Sequence, residues 1–418
     1  MQGLHFLGHA VLIVDLSLGE RNREECVMQQ GLPTQRSADR PFDPPQELLG
    51  GQPLTRMTYA DGKAGWLATS RSAVRAVLAD SRFSARYELL SLPTGMPADG
   101  GALPSAMPGD LTGLDAPEHT RYRRLLTGQF TVRRMRQLTD RIEQTVAEHL
   151  DAMRRKGPPV DFVAAFARPV PTLTICELLG VPYEERALFE DNAVTLVSTV
   201  DPSSDEYAKA ITGFGEYVAR LVQAKRAAPT DDLLSGLTTS DLDDTELATI
   251  AGVLLSAGLA TTMHMLTVGA LAMTRTPGLV EAMRDNTEST VEELLRYMSI
   301  VPFSVRTALE DVTVDGELIK AGETVTLSLH AANRDPAVFD DPDSIVIGRG
   351  KGGHVAFGHG IHQCLGQQLA RVELQAAFRA LATQFPTLSL AVPFESLPGL
   401  QDGIVFNPPE LPVTWQQA

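Results

Sequence analysis

Near its C-terminus the chain places one cysteine, Cys364, inside the glycine-punctuated loop Phe357-Gly-His-Gly-Ile-His-Gln-Cys-Leu-Gly366, directly ahead of the helical run Gln367-Gln-Leu-Ala-Arg-Val-Glu-Leu374. Few folds need that combination. Glycines at 358, 360 and 366 let backbone amides come close to the sulfur. The free amides and dipole of a helix start favour negative charge on it. A thiolate held this way can bind a haem iron from one side and push electron density onto it. Two other readings fit the same window. A lone cysteine is commonly a buried, inert one, and His354, His359, His362 and Cys364 together have the chemistry of a zinc site.

Composition narrows the field. The 418 residues are 43% hydrophobic and 21% charged, enough for a large buried core. A formal charge of −16 argues against nucleic acid or an anionic membrane as the main partner. Cys26, Cys176 and Cys364 are too few and too far apart for a disulfide framework, which fits a reducing cytoplasm. Cys176 sits in an apolar helical stretch and reads as core. The apolar segment Leu4–Leu18 is interrupted by His5, His9 and Asp15 and is too short to span a membrane. It also lacks the basic start and cleavage site of a secretory signal. We therefore expect residues 1–27 to be a weakly ordered extension and residues 28–418 to form one domain.

Strand-like text runs through Arg56–Ala60 and Gly65–Thr69, followed by a helix over Ser72–Ala79. Residues 89–113 carry Pro, Gly, Ser and Met without periodicity, and a loop of that length is usually functional. From Pro117 to Leu309 helical patterns dominate. The longest helix is expected to start at Ser240, with Asp243 as a capping-box partner, and to end at Arg275 before Pro277. Its centre, Ile250–Leu259, is apolar on every side and should be buried. Asp315-Gly316 marks a hairpin, Thr324–Leu329 a strand, and the segments 403–406 and 411–415 a closing strand pair. The expected class is mainly α with small β-sheets.

Beyond the cysteine loop, Glu293-Leu-Leu-Arg296 sets an acid and a base three apart on one helix face. Arg306 lies ten residues further on, and His119 and Arg123 share another helix face. Ala257-Gly-Leu-Ala-Thr-Thr262 sits midway along the long helix. Phe357, Gly360, His362, Cys364 and Gly366 fill every position of the haem-loop pattern of the cytochromes P-450, and the other motifs follow that family's order. Over about residues 30–418 the chain resembles a soluble, bacterial-type cytochrome P-450, which implies a single triangular haem domain.

That resemblance implies the following roles. Cys364 is the proximal ligand of haem b, and Phe357 packs on the macrocycle near the sulfur. His119, Arg123, Arg306 and His362 meet the two propionates, whose buried charge needs cationic or donor partners. Ala257, Gly258, Gly358, Gly366 and Ala370 lie against the cofactor. Glu293 and Arg296 tie to a third residue in the segment Asn333–Pro336, with Arg334 the candidate, and hold the cysteine loop. Thr261 handles protons where dioxygen is activated. The family's acid before the threonine pair is absent, its place taken by Ala260, so proton delivery must come from water, substrate or another side chain. His264, four residues on, suits a relay, or is a packed histidine satisfied by a carbonyl.

The implied reaction is insertion of one oxygen atom from dioxygen into a small, largely apolar molecule of secondary metabolism. Peroxide-driven oxidation or radical coupling on the same haem is the alternative. Electrons would come from NAD(P)H through an external ferredoxin and its reductase, since no flavin or iron–sulfur motif is present. A monomer is expected. Seven arginines between Arg121 and Arg141 offer a docking patch for an acidic carrier, or merely a charged helix face. The substrate wall is expected from residues 89–113, 191–199, 254–262, 300–304 and 404–406, with Leu254, Ala257, Val301, Ser304 and Val405 as contacts.

Overall fold

The computed structural model describes residues 31–37, 39–94, 102–186, 205–349, 352–400 and 405–416. The expected extension, residues 1–27, and the 191–199 wall lie outside the described residues. Ser70 caps helix Arg71–Ala79 by accepting from the Ala73 amide. Among the described residues, the other helices of nine or more residues are Glu118–Thr127, Val132–Lys156, Pro169–Leu179, Asp205–Ala227, Asp244–Arg275, Thr287–Met298 and Gln367–Gln384.

The long helix begins later than the sequence suggested. Asp243 is its cap: its carboxylate accepts from the Glu246 amide at 2.8 Å, and Glu246 accepts from the Asp243 amide at 2.8 Å. Ser240 instead donates to the Leu237 carbonyl at 2.6 Å. The helix ends at Arg275, as Pro277 requires. It is long and apolar enough to cross a membrane, but most of its apolar stretch is covered by other helices. The core gathers around it from Val132–Lys156, Pro169–Leu179, Asp205–Ala227 and Gln367–Gln384.

The strands are short. In chain order they are β1 (Leu54–Thr58), β2 (Ala64–Ala68), β3 (Phe83–Ser84), β4 (Val160–Asp161) and β5 (Phe303–Ala308). They continue as β6 (Val312–Val314), β7 (Glu317–Ile319), β8 (Thr324–Ser328), β9 (Ser389–Leu390) and β10 (Pro412–Thr414). The largest sheet has the order β1-β2-β8-β5-β3. β2 and β8 pair in parallel, with Trp66 opposite Val325, and the other neighbours are antiparallel. β6 and β7 form the expected hairpin, with Asp315 and Gly316 both at positive φ (48° and 84°). The closing pair is different from expectation. β10 pairs with β4 and β9, whereas Val405 and Phe406 are not in a strand.

Candidate active site

The long helix is not buried all round. Within its apolar centre Leu254, Ala257, Gly258 and Thr261 stay open, a stripe at helical spacing, while most of their neighbours are fully covered. The opening faces a cavity of about 440 Å³. The opposite wall is the cysteine loop: Phe357, Gly358, His362, Cys364 and Gly366, with Ala370 from the helix that follows. His119, Arg123 and Arg306 complete the lining, so every residue expected to hold the cofactor comes to one place. The helix runs through Gly258 without interruption. The glycine serves packing, since a Cβ there would stand 2.6 Å from Ile175 Cδ1, and it does not open the helix.

The cysteine loop owes its shape to two glycines. Gly358 and Gly360 sit at φ 67° and 72°, and a Cβ on Gly360 would lie 2.1 Å from the Leu78 carbonyl oxygen. The Cys364 amide donates to the Phe357 carbonyl at 2.9 Å, closing the loop. Burial pushes the Cys364 thiol up; the Gly366 and Gln367 amides, with Arg123 and Arg371, pull it part of the way back. The helix start therefore does offer amides to the sulfur, as the sequence suggested. The zinc arrangement does not form. His354 is taken by Glu292 at 3.0 Å, and no group of three His, Cys, Asp or Glu side chains converges among the described residues.

Among the described residues, the donors around the cavity pair with no protein acid. His119 is buried, neither ring nitrogen has a partner, and its ring packs tilted against His362, 4.2 Å between centroids. Nε2 of His362 is also buried and unpartnered. Burial, then Arg306, His119 and Arg123, press the His362 imidazole down to about 2. Arg306 shares a face of β5 with Ser304 and donates to Ser304 Oγ at 3.1 Å and the Val305 carbonyl at 2.7 Å. Burial lowers it to about 10, against the pull of Asp115 and Tyr87, and it forms no ion pair among the described residues. A buried cation without an ion pair and buried imidazole nitrogens without partners call for an anionic group in the cavity. A haem would supply that charge through its two carboxylates, and its iron would suit the thiol of Cys364, so the residues present fit it.

Two networks brace this wall. Glu293 and Arg296 pair through two hydrogen bonds of 2.8 Å, both side chains fully buried. The third partner is Arg349, whose Nε donates to Glu293 Oε1 at 3.1 Å. Arg334 was expected there and is elsewhere: it is held by Asp43 and Asp343 at 3.2 Å and lies over the Tyr297 ring. Arg296 itself reaches the Asn333 carbonyl at 2.8 Å, and the Asn333 side chain accepts from the Val355 amide at 2.7 Å, so the brace does reach the cysteine loop. The second network was not foreseen. Glu292 accepts from Arg371 at 2.6 Å and pairs with His354, and Arg371 lies over Phe357, 4.5 Å from the ring centre. Burial alone would raise the Glu292 carboxyl, but His354 and Arg371 outweigh it and bring it down to about 2.

On the substrate side Leu254, Ala257, Val301 and Ser304 line the cavity, together with Leu92, Pro93, Thr94, Leu103, Leu111 and Thr112 from the long loop. Val405 does not. It packs with Leu32, Met57, Leu67 and Ala331, because its segment is not the strand expected to face inward. Thr261 donates to the Ala257 carbonyl at 2.7 Å. Ala260 is buried outside the lining. His264 is bound to the Phe406 carbonyl at 2.6 Å, and burial first of all holds it down at about 4, which makes it the packed histidine rather than the relay. The arginine run does not form one free patch. Arg121 pairs with Glu246 and Arg133 with Asp231, Arg134 caps the Asp232 carbonyl, and Arg123 turns into the cavity.

Comparison with known proteins agrees with this geometry. The cytochrome P450 family model matches residues 286–413. Cytochrome P450 105C1 of a Streptomyces species is 47% identical over 383 residues, covering 90% of this chain and 96% of that one. Pentalenic acid synthase of Streptomyces avermitilis is 38% identical, covering 90% and 95%. The crystal structure of CYP105P1 in complex with filipin I superposes with a TM-score of 0.83 at 39% identity, covering 94% and 100%. With its cysteine loop, braced acid–base helix and open helix stripe in the same order, the chain belongs to the cytochrome P450 family.

Proposed function

We propose that this P450 monooxygenase, which uses haem b and electrons from NAD(P)H delivered by redox partners, oxygenates a small, largely apolar molecule of secondary metabolism. The observation that carries the reading is the cavity itself. One wall is a thiol ringed by unpaired donors, and the other is an apolar surface broken by few hydroxyls. When bound, the haem supplies one-oxygen insertion from dioxygen.

The chain's own residues do the rest. Cys364 would supply the sulfur that holds the iron. Arg306, Arg123, His119 and His362 would hold the cofactor's carboxylates. Leu254, Ala257 and Val301 exclude water and seat apolar carbon, and Ser304, polarised by Arg306, offers a hydroxyl to a polar atom of the substrate. Thr261 can turn from the Ala257 carbonyl to donate a proton into the cavity. Residues 28–418 act as one haem domain, monomeric and cytoplasmic, served by a ferredoxin and its reductase. Neither nucleic acid nor membrane is a partner.

The test is a reduced carbon monoxide spectrum, followed by product analysis with ferredoxin, reductase and NADPH. We expect a thiolate-type red-shifted Soret band in the wild type and its loss in Cys364→Ser, with loss of most turnover. A colourless protein overturns the haem assignment. Product that forms as fast from hydrogen peroxide alone moves the reading to peroxide chemistry.

A further inference from the structure

Arg371 joins the cysteine loop to a buried acid. It lies on helix Gln367–Gln384, with its side chain 21% exposed. Its guanidinium stands over the Phe357 ring, 4.5 Å from the centre. Nη1 donates to the Gln367 carbonyl and to Gln367 Oε1, both at 3.2 Å, and the Gln367 side-chain amide donates to the Cys364 carbonyl at 3.3 Å. Nε and Nη2 both go to one acid, Glu292, at 2.6 and 3.1 Å.

Glu292 holds that charge in check. It is buried on helix Thr287–Met298, and its Oε2 also accepts from His354 Nε2 at 3.0 Å. His354 Nδ1 in turn accepts from the Ala356 amide at 3.3 Å, so the ring meets Glu292 as a neutral donor and adds no charge of its own. The same ring leans against Phe357, 6.1 Å between centroids. One cation and one anion therefore stand together behind the cysteine loop. Arg371 favours a negative sulfur at Cys364, and Glu292 offsets part of that pull by neutralising the arginine.

We propose that Arg371 and Glu292 are positioning residues whose opposed charges, held against Phe357 and Gln367, set the reduction potential of the iron that Cys364 binds. Reduction brings one electron from the redox partner to a centre that already carries a thiolate. A cation behind the sulfur favours the added negative charge, and an anion that neutralises this cation disfavours it. The Phe357 ring and the Gln367 bridge fix the distance over which the charge acts. Partial exposure of Arg371 screens the effect and limits its size. Neither residue touches the reacting atoms.

The proposal rests on the haem–thiolate reading, and its test separates the two. The readout is the midpoint potential of haem-loaded protein at pH 7, taken by spectroelectrochemistry, with the reduced carbon monoxide band recorded alongside. Arg371→Gln should move the ferric–ferrous equilibrium about three- to tenfold toward ferric iron, a fall of up to about 59 mV for one electron. Glu292→Gln keeps the hydrogen-bonding shape but frees the arginine charge, and should move it by a similar factor toward ferrous iron. Arg371→Lys, which keeps the charge and loses the fork, should stay within about twofold of wild type. The double variant Glu292→Gln with Arg371→Gln should lie between the two single ones. A purely structural role moves both single variants the same way or moves neither, and either result overturns the proposal. If Arg371→Gln loses the thiolate-type band, Glu292→Gln decides alone: a rise supports the proposal and no rise overturns it. A wild type without that band overturns the haem–thiolate reading and the proposal with it. Opposed shifts in a protein that forms no oxygenated product count against the monooxygenase reading and leave the charge pair supported.

Discussion

At the scale of single residues the cavity is defined by what its side chains lack. Arg306 is buried, tied among the described residues only to Ser304 and its own strand, and faces the tilted pair His119 and His362. Each is a donor waiting for charge. Arg306→Leu should therefore loosen the cofactor while leaving the fold. A charged hydrogen bond is worth about 1.5–3 kcal/mol, so haem transfer to apomyoglobin should run roughly 10- to 100-fold faster. An unchanged transfer rate would mean that Arg306 does not contact the cofactor. Gly360 is constrained from both sides, by a φ of 72° and by the Leu78 carbonyl. Gly360→Ala should cost about 1–3 kcal/mol and distort the cysteine loop. The checks are urea denaturation and the shape of the reduced carbon monoxide band.

Among elements, the helix Thr287–Met298 is the brace. Its neighbouring acids, Glu292 and Glu293, face two different structures. Glu293 with Arg296 and Arg349 holds the segment around 333–349, and Glu292 with Arg371 and His354 holds the cysteine loop. Removing one member of a buried pair strands the other, so Glu293→Leu should cost about 3–5 kcal/mol. A double-mutant cycle assigns the third member. Glu293 with Arg349 should couple by about 0.5–3 kcal/mol, while Glu293 with Arg334 should add nearly independently. Coupling to Arg334 instead would restore the expectation drawn from the sequence. The long helix contributes the other half of the site. Its open stripe exists because small residues at 257 and 258 let the cavity approach while Ile175 closes over Gly258.

For the whole molecule, the buried titratable groups set opposite pH limits. Burial holds His264 down at about 4 and His330 at about 3, so both fold as neutral rings. Their contribution is complete above the unfolded value near 6.5 and is lost as pH falls toward 4 and 3. For His264 the loss is of order 3 kcal/mol. Glu373 works the other way. Its raised value favours the neutral acid in the fold, so stability is complete below about 4.5 and is lost as pH rises through 8. Relative to wild type, Glu373→Gln should gain melting temperature at pH 9 and gain none at pH 5. His264→Phe should flatten the acid limb between pH 6.5 and 4. Equal shifts at every pH would show that neither group titrates with folding.

What the sequence determined by itself is local and ordered along the chain. The loop around Cys364, the acid–base step at 293–296, the hairpin at 315–316 and the helix stop at Pro277 each depend on a few adjacent residues. Spacing and turn chemistry suffice to read them. Resemblance to one family then brought His119, Arg123, Arg306 and Thr261 to the same cavity. Only the tertiary structure could decide which partner a side chain finds across the chain. Arg349 rather than Arg334 meets Glu293, because Arg334 is taken by Asp43 and Asp343. Val405 leaves the cavity because its segment does not pair as a strand. His264 is spent on Phe406, and Glu373, unremarkable in a helical run, becomes a neutral acid. The physical reason is common to all of them. Burial and long-range hydrogen bonding set charge and direction, and neither is encoded in the spacing of neighbours.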